Sequence, residues 1–220
     1  MSQVDVIAID GPVASGKGSV SSGVAKVLGF HVLDSGALYR LTALACMNQG
    51  MDLGDAAAAE KVARLLKPLF KDGKIYLEGK DVTDAIRTEE VGLNASKIAA
   101  YPGVRKALFE LQRRSAVEPG LVADGRDMGS VVFPEARLKI FLTASAESRA
   151  KRRYNQLKEK GISSNIDDLV SDLKDRDRRD MERSVAPLKP AEGARILDSS
   201  ELTLQETIDQ VLAWYRESKA

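Results

Sequence analysis

One short segment near the N-terminus constrains this chain more than any other: Gly11-Pro12-Val13-Ala14-Ser15-Gly16-Lys17-Gly18-Ser19. The apolar, β-branched run Val4 to Ile9 leads into it through Asp10, and Val20, Val24, Val27 and Leu28 follow at helical spacing. The segment therefore reads as a glycine loop between a strand and a helix. Its first seven residues fit G-x-x-x-x-G-K in the strand-to-helix context which that pattern requires. The glycines let the backbone curl, successive N–H groups turn toward an anion, the helix N-terminus adds positive potential, and Lys17 contributes a point charge for the β and γ phosphates. A polyphosphate site on an α/β scaffold is the expectation.

The residue after the lysine is Gly18, and the hydroxyl comes one place later at Ser19, so direct ligation of a metal from the loop is doubtful. This Gly-Lys-Gly-Ser form resembles the nucleoside monophosphate kinases. The resemblance implies ATP as phosphoryl donor, with Mg²⁺ held mainly by nucleotide oxygens and water, a common arrangement for that ion, and no protein metal site.

The apolar pairs Val32-Leu33, Leu121-Val122 and Ile140-Phe141-Leu142, with Ile196-Leu197, read as further buried strands separated by helical segments. The fold class expected is α/β: a five-stranded parallel sheet wrapped by helices, a P-loop kinase arrangement, with a small antiparallel β insert and a helical lid. The insert is placed at 67–88, where Asp72-Gly73 and Glu78-Gly79 are hairpin-type turn signals. The lid is placed at 160–186, because the stripe Leu169, Val170, Leu173 stops and leaves Lys174 to Arg183 almost purely charged, a stretch expected to protrude. At 220 residues, one domain carrying these two regions is the natural division. Thr203 and Glu206 form a capping box for a last helix whose apolar face is Leu204, Ile208, Val211, Leu212 and Tyr215.

Bulk composition removes other classes. Lys and Arg number 33 against 32 Asp and Glu, so no global field exists to hold nucleic acid or an anionic membrane. A single histidine, His31, makes Ser-His-Asp chemistry improbable, and with one cysteine it cannot complete a His/Cys zinc site. Cys46 lies in the apolar stretch Leu41 to Met47, is expected in the core, and suits a reducing compartment. With no membrane-length apolar stretch and no signal-like start, a cytoplasmic monomer is expected.

Asp34-Ser35-Gly36-Ala37-Leu38-Tyr39-Arg40 follows the second strand, so Ser35 can cap the next helix and Arg40 can clamp a phosphate. Gly125-Arg126-Asp127-Met128-Gly129 follows another strand, at the carboxyl edge where α/β sheets place ligands. With the Asp-Gly-Pro loop, these two segments closely resemble the bacterial-type cytidylate kinases over essentially the whole chain. The resemblance implies CMP, and dCMP with it, as the phosphoryl acceptor. It implies that Asp127, Ser96 and Arg105 contact cytosine; an ionised Asp127 accepts from the exocyclic amine and repels the corresponding uracil oxygen.

Arg176, Asp180 and Arg183 recur at i, i+4 and i+7, one helix face with two cations around a carboxylate. The resemblance implies that Arg176 and Asp180 bind the acceptor ribose, while Arg183, Arg40 and Arg126 hold its phosphate. Guanidinium suits that task, since its planar fork donates in pairs and stays charged when desolvated. Catalytic candidates are Lys17, Arg126 and Arg183; the loop Gly11 to Ser19 holds the donor; Ser35, Arg40, Ser96, Arg105, Arg126, Asp127, Arg176, Asp180 and Arg183 hold the acceptor. Arg149, Arg152 and Arg153 form a second basic helical segment that either serves the ATP side or is a solvated face, and they stay outside the candidate set. Two other readings remain open: a kinase for UMP or another small acceptor, and a nucleotide-dependent switch that signals to a protein partner.

Overall fold

The computed structural model describes residues 4–71, 73–159, 161 and 163–218. Its chain divides into two compact units, Met1–Leu33 with Ser115–Ala220, and Asp34–Arg114.

Unit 1 is built on a sheet ordered β2-β6-β1-β7-β8, formed by β1 (Val6–Asp10), β2 (His31–Asp34), β6 (Leu121–Gly125), β7 (Leu138–Thr143) and β8 (Arg195–Asp198). β1 runs parallel to β6 and to β7, with Asp10 opposite Gly125 and Ile9 opposite Ile140, and β7 runs parallel to β8. All five residues of β1 are buried, which is why the strand reads as a continuous apolar run rather than an alternation. α1 (Lys17–Leu28) and α8 (Leu204–Glu217) share the core with the strands, while α6 (Ala146–Glu159) and α7 (Ile166–Glu182) pack against each other.

Ile7, Ile9, Val20, Val24, Ile140, Leu142, Val211, Leu212 and Tyr215 share one core cluster. Burying each aliphatic side chain of this kind contributes about 1.5–3 kcal/mol before entropy is counted. The approach of α1 to α8 is close: a Cβ on Gly23 would lie 2.3 Å from Ile208 Cδ1, so a larger residue there requires the Ile208 side chain to move. The expected capping box of α8 is present, with Thr203 Oγ1 accepting from Glu206 N and Glu206 Oε2 accepting from Thr203 N. Four positions expected to be buried are corrected: Val27 and Leu204 on the helices are 59% and 51% exposed, and Val32 and Ile196 are 45% and 62% exposed, because β2 and β8 are the edge strands and bury Leu33 and Leu197 instead.

Unit 2 contains α2 (Ser35–Asn48), α3 (Ala56–Leu65), α4 (Glu89–Ile98), α5 (Pro102–Arg113) and an antiparallel sheet of β3 (Pro68–Lys71), β4 (Lys74–Leu77) and β5 (Lys80–Asp81). Phe70 pairs with Ile75 and Tyr76 with Asp81, in the region where the insert was expected. Glu78 and Gly79 both take positive φ, 50° and 79°, the conformation of a tight hairpin turn. Of the other turn signal, Asp72 lies outside the described residues. α2 is capped by Asp34, whose Oδ1 accepts from Ala37 N at 2.9 Å. The expectation that Ser35 is the cap is thus corrected: Asp34 is in the extended conformation a cap requires, and Ser35 is already the first helical residue. Cys46 is buried in α2, together with Leu38, Leu41 and Leu44.

Candidate active site

In unit 1 the glycine loop leaves β1 at Asp10 and enters α1 at Lys17. Gly11 is obligatory on space alone, because a Cβ there would lie 2.0 Å from the backbone oxygen of Leu142 in β7. Ala14 and Gly16 take left-handed φ of 59° and 93°, whereas Val13 and Ser15 between them do not. Such alternation turns backbone N–H groups toward a common concavity that suits an anion. Gly16 caps α1 without a side-chain acceptor, so the first-turn N–H groups of the helix carry their partial positive charge forward.

Lys17 is buried and its Nζ donates to Pro12 O at 2.7 Å, with Ser15 Oγ at 3.4 Å. Burial, then the charge of Arg126, lowers its pKa from 10.5 to about 8; Asp124, Asp10 and Asp180 pull the other way. The neighbouring strand ends supply the first two of these carboxylates, and α7 supplies Asp180. Asp124 and Gly125 close β6 directly beside Ile9 and Asp10 of β1, so the sheet register itself gathers them.

Asp10 is the anchor that sequence reading overlooked. Its carboxylate accepts from Met128 N at 2.7 Å and from Gly129 N at 2.8 Å. These bonds fix the start of a π-helical turn, Met128–Val132, whose N-cap is Asp127. Burial pushes Asp10 up to about 6, and its two backbone hydrogen bonds oppose that shift. A charged residue ending a fully apolar run, immediately before a glycine loop, was the available signal.

Arg126 Nε donates to Asp180 Oδ2 at 2.9 Å, near the end of α7. Burial disfavours its charge, but Asp180, Asp124 and Asp10 outweigh that and raise its pKa, keeping it a cation. Asp127 is buried beside it. Arg183 corrects a second expectation: it caps the C-terminus of α7 in an extended conformation instead of continuing the helix face of Arg176 and Asp180. Its Nε donates to Ala186 O at 2.6 Å, and its Nη1 lies 4.0 Å from Asp180 Oδ1. The charged stretch does not simply protrude. Lys174, Asp175, Arg178 and Arg179 are exposed, while Asp177 and Asp180 on the same helix engage Arg149 and Arg126.

Arg149 and Arg152, outside the candidate set, contact the glycine loop. Arg149 Nη1 donates to Val13 O at 3.0 Å, and Arg152 Nη1 donates to Ser15 O at 3.1 Å, both carbonyls of the glycine loop. Arginine spacing alone cannot say which carbonyl a guanidinium will meet.

In unit 2, Arg40 Nη1 donates to Ile86 O at 2.7 Å and to Thr88 O at 3.2 Å. Its guanidinium lies over Gly92 of α4, where a Cβ would come within 2.7 Å of Nη2. Ser96 is one turn further along the same helix. Arg105 of α5 stacks over the ring of Tyr39, 6.0 Å from its centroid. Ser35 is buried and its Oγ accepts from Gln112 Nε2 at 2.9 Å. Ser35, Arg40 and, through Tyr39, Arg105 thus gather at α2, with Gln112 beside Ser35.

A family model described as cytidylate kinase matches residues 7–217. The chain belongs to the cytidylate kinase family. It is 59% identical over 211 residues to the cytidylate kinase of Bordetella bronchiseptica, covering 96% of this chain and 95% of that one. It is 56% identical over 215 residues to the cytidylate kinase of Cupriavidus necator, covering 98% and 97%. The crystal structure of an uncharacterized protein from Eubacterium ventriosum superposes with a TM-score of 0.53 at 13% identity, over 96% of this chain and 98% of that one, a likeness of fold. Membership of the cytidylate kinase family makes the chain a nucleoside monophosphate kinase, a phosphoryl-transfer enzyme. Among the described residues no helix is long and apolar enough to cross a membrane.

Proposed function

We propose that this chain transfers the terminal phosphoryl group of ATP to cytidine monophosphate, and to its deoxy form. The observation that carries the reading is the near-full-length identity, 56–59%, to proteins named cytidylate kinase, in a chain whose glycine loop has the form of a polyphosphate cradle.

In this reading the backbone N–H groups of Gly11 to Ser19 hold the donor, and Lys17 neutralises its β and γ phosphates. Arg126 and Arg183 face the acceptor phosphate, with Arg40 as a further guanidinium. Asp127 accepts from the cytosine amine, Ser96 and Arg105 complement the other edge of the base, and Ser35 belongs to the same acceptor set. Arg176 and Asp180 bind the ribose, which makes them the positions that bear on CMP against dCMP. The insert at 67–88 and the region 160–186 are proposed as the acceptor-side element and the lid of one kinase domain, acting in the cytoplasm as a monomer.

A nucleotide-bound Mg²⁺ would be held mainly by nucleotide oxygens and water, because Gly18 stands where a loop hydroxyl would otherwise reach it. The ion would neutralise charge on the donor phosphates. No general base is needed, because the acceptor phosphate has its second pKa near ~6 and is already largely a dianion at neutral pH. Catalysis is then alignment together with charge neutralisation, and closure of the lid excludes competing water.

The test is a coupled ADP-release assay with ATP and magnesium across a panel of nucleoside monophosphates. CMP and dCMP should give the largest rates and UMP much less; rates indifferent to every monophosphate would overturn the reading. Arg183→Ala should lower turnover by about 10²-fold with the fold intact, and near-normal turnover would remove Arg183 from the site.

A further inference from the structure

We propose that Arg149 and Arg152 are positioning residues of the donor site: each holds one loop carbonyl outward and thereby aims the N–H of the following residue at the polyphosphate. The inference deepens the proposed function and rests on it, since it takes the loop's ligand to be a nucleotide polyphosphate.

The geometry starts from the peptide plane. In a trans peptide the C=O of one residue and the N–H of the next point in opposite directions. Arg149 Nη1 holds Val13 O at 3.0 Å, so Ala14 N–H faces away from α6. Arg152 Nη1 holds Ser15 O at 3.1 Å, so Gly16 N–H does the same. These are the two residues with left-handed φ, 59° and 93°. Alanine has no intrinsic preference for that conformation, and a bond from outside the loop opposes its relaxation.

Each guanidinium is itself oriented by three-dimensional structure. Arg149 is 4% exposed, its Nε donates to Ala144 O at 3.0 Å, and its fork meets both carboxylate oxygens of Asp177 on α7 at 3.1 and 2.5 Å. Arg152 donates through Nη1 to Ser199 Oγ at 3.3 Å and through Nη2 to Ser199 O, just beyond β8. Neither is a solvated surface charge. The planar guanidinium spreads its five donors over three nitrogens and so spans a loop carbonyl and a second element, whereas a lysine presents its donors from a single nitrogen.

The experiment uses the full chain and ADP as the probe. Arg152→Met keeps length and removes every donor; Arg152→Lys restores the charge and a single donor nitrogen. ADP affinity by calorimetry should fall tenfold or more in Arg152→Met and recover in part in Arg152→Lys, while the KM for CMP stays within twofold. In amide NMR spectra, the downfield shift of Gly16 N–H on adding ADP should be present in the wild type and lost in Arg152→Met. Arg149→Met should behave likewise at Ala14; if it fails to fold because Asp177 is stranded, Arg152→Met still decides the question. ADP affinity within twofold of wild type in Arg152→Met, or equal losses for ADP and CMP accompanied by lost thermal stability, overturns the inference. Failure of the wild type to bind ADP overturns the proposed function instead.

Discussion

Arg126 and Asp180 are 54 residues apart in sequence and meet at 2.9 Å, tying the segment after β6 to the last turn of α7. Asp180 also faces Arg183 and, through its backbone oxygen, accepts from Leu188 N at 2.8 Å. One carboxylate therefore sets two guanidinium groups at once. Asp180→Ala should cost about 1–3 kcal/mol of stability in urea unfolding, since Arg126 is left half-buried without this partner. It should also raise the KM for CMP. Unchanged stability together with an unchanged KM would show that the pair contributes nothing.

Lys17 gives the activity a basic limb. Burial foremost, and then Arg126, lowers its pKa to about 8, so the ammonium loses its charge as pH rises through that value. The ratio kcat/KM for ATP, which reports groups of the free enzyme, should accordingly fall above about pH 8. A profile that stays flat to about pH 9.5 would exclude Lys17 as the cation responsible.

Asp10 predicts an opposite kind of pH dependence, in stability. Its folded-state pKa of about 6 lies above the ordinary 3.8, so the folded chain binds this proton more tightly than the unfolded chain does. The group's contribution is complete below about pH 4 and is lost as pH rises through about 6, a change of up to about 3 kcal/mol. Asp10→Asn does not titrate and should lack that slope. Urea unfolding of both proteins at about pH 4.5 and 7.5 isolates the difference, and parallel behaviour of the two would refute the assignment.

Gly11→Ala tests the close approach of the loop to β7. The added methyl would lie 2.0 Å from Leu142 O, a backbone atom held in the sheet. A loss of about 3 kcal/mol or more is expected, read as a fall in thermal midpoint, whereas Gly29→Ala meets nothing within 4 Å and should cost less. Equal losses in the two variants would show that backbone conformation, not space, is what Gly11 supplies.

The sequence was most legible where structure is local. Strands buried on both faces appear as unbroken apolar runs, as in Val6 to Ile9, and the Thr203 and Glu206 cap is written within four consecutive residues. Likewise the glycine loop is recognisable because its backbone conformation demands particular residues. Long-range pairing left no such trace: nothing around Asp10 states that its carboxylate meets the N–H groups of Met128 and Gly129. Arg149 and Arg152 look like any solvated charge run until the fold sets α6 against the loop. Helical spacing also ran one residue too far at Arg183, where the chain has already become extended.

Cys46 is the chain's single thiol and lies buried in α2 with 1% of its surface exposed. A thiol so enclosed reacts with an added disulfide reagent only during moments when its surroundings part. Its labelling rate is thus a built-in clock for the opening motions that expose α2, readable without any engineered probe.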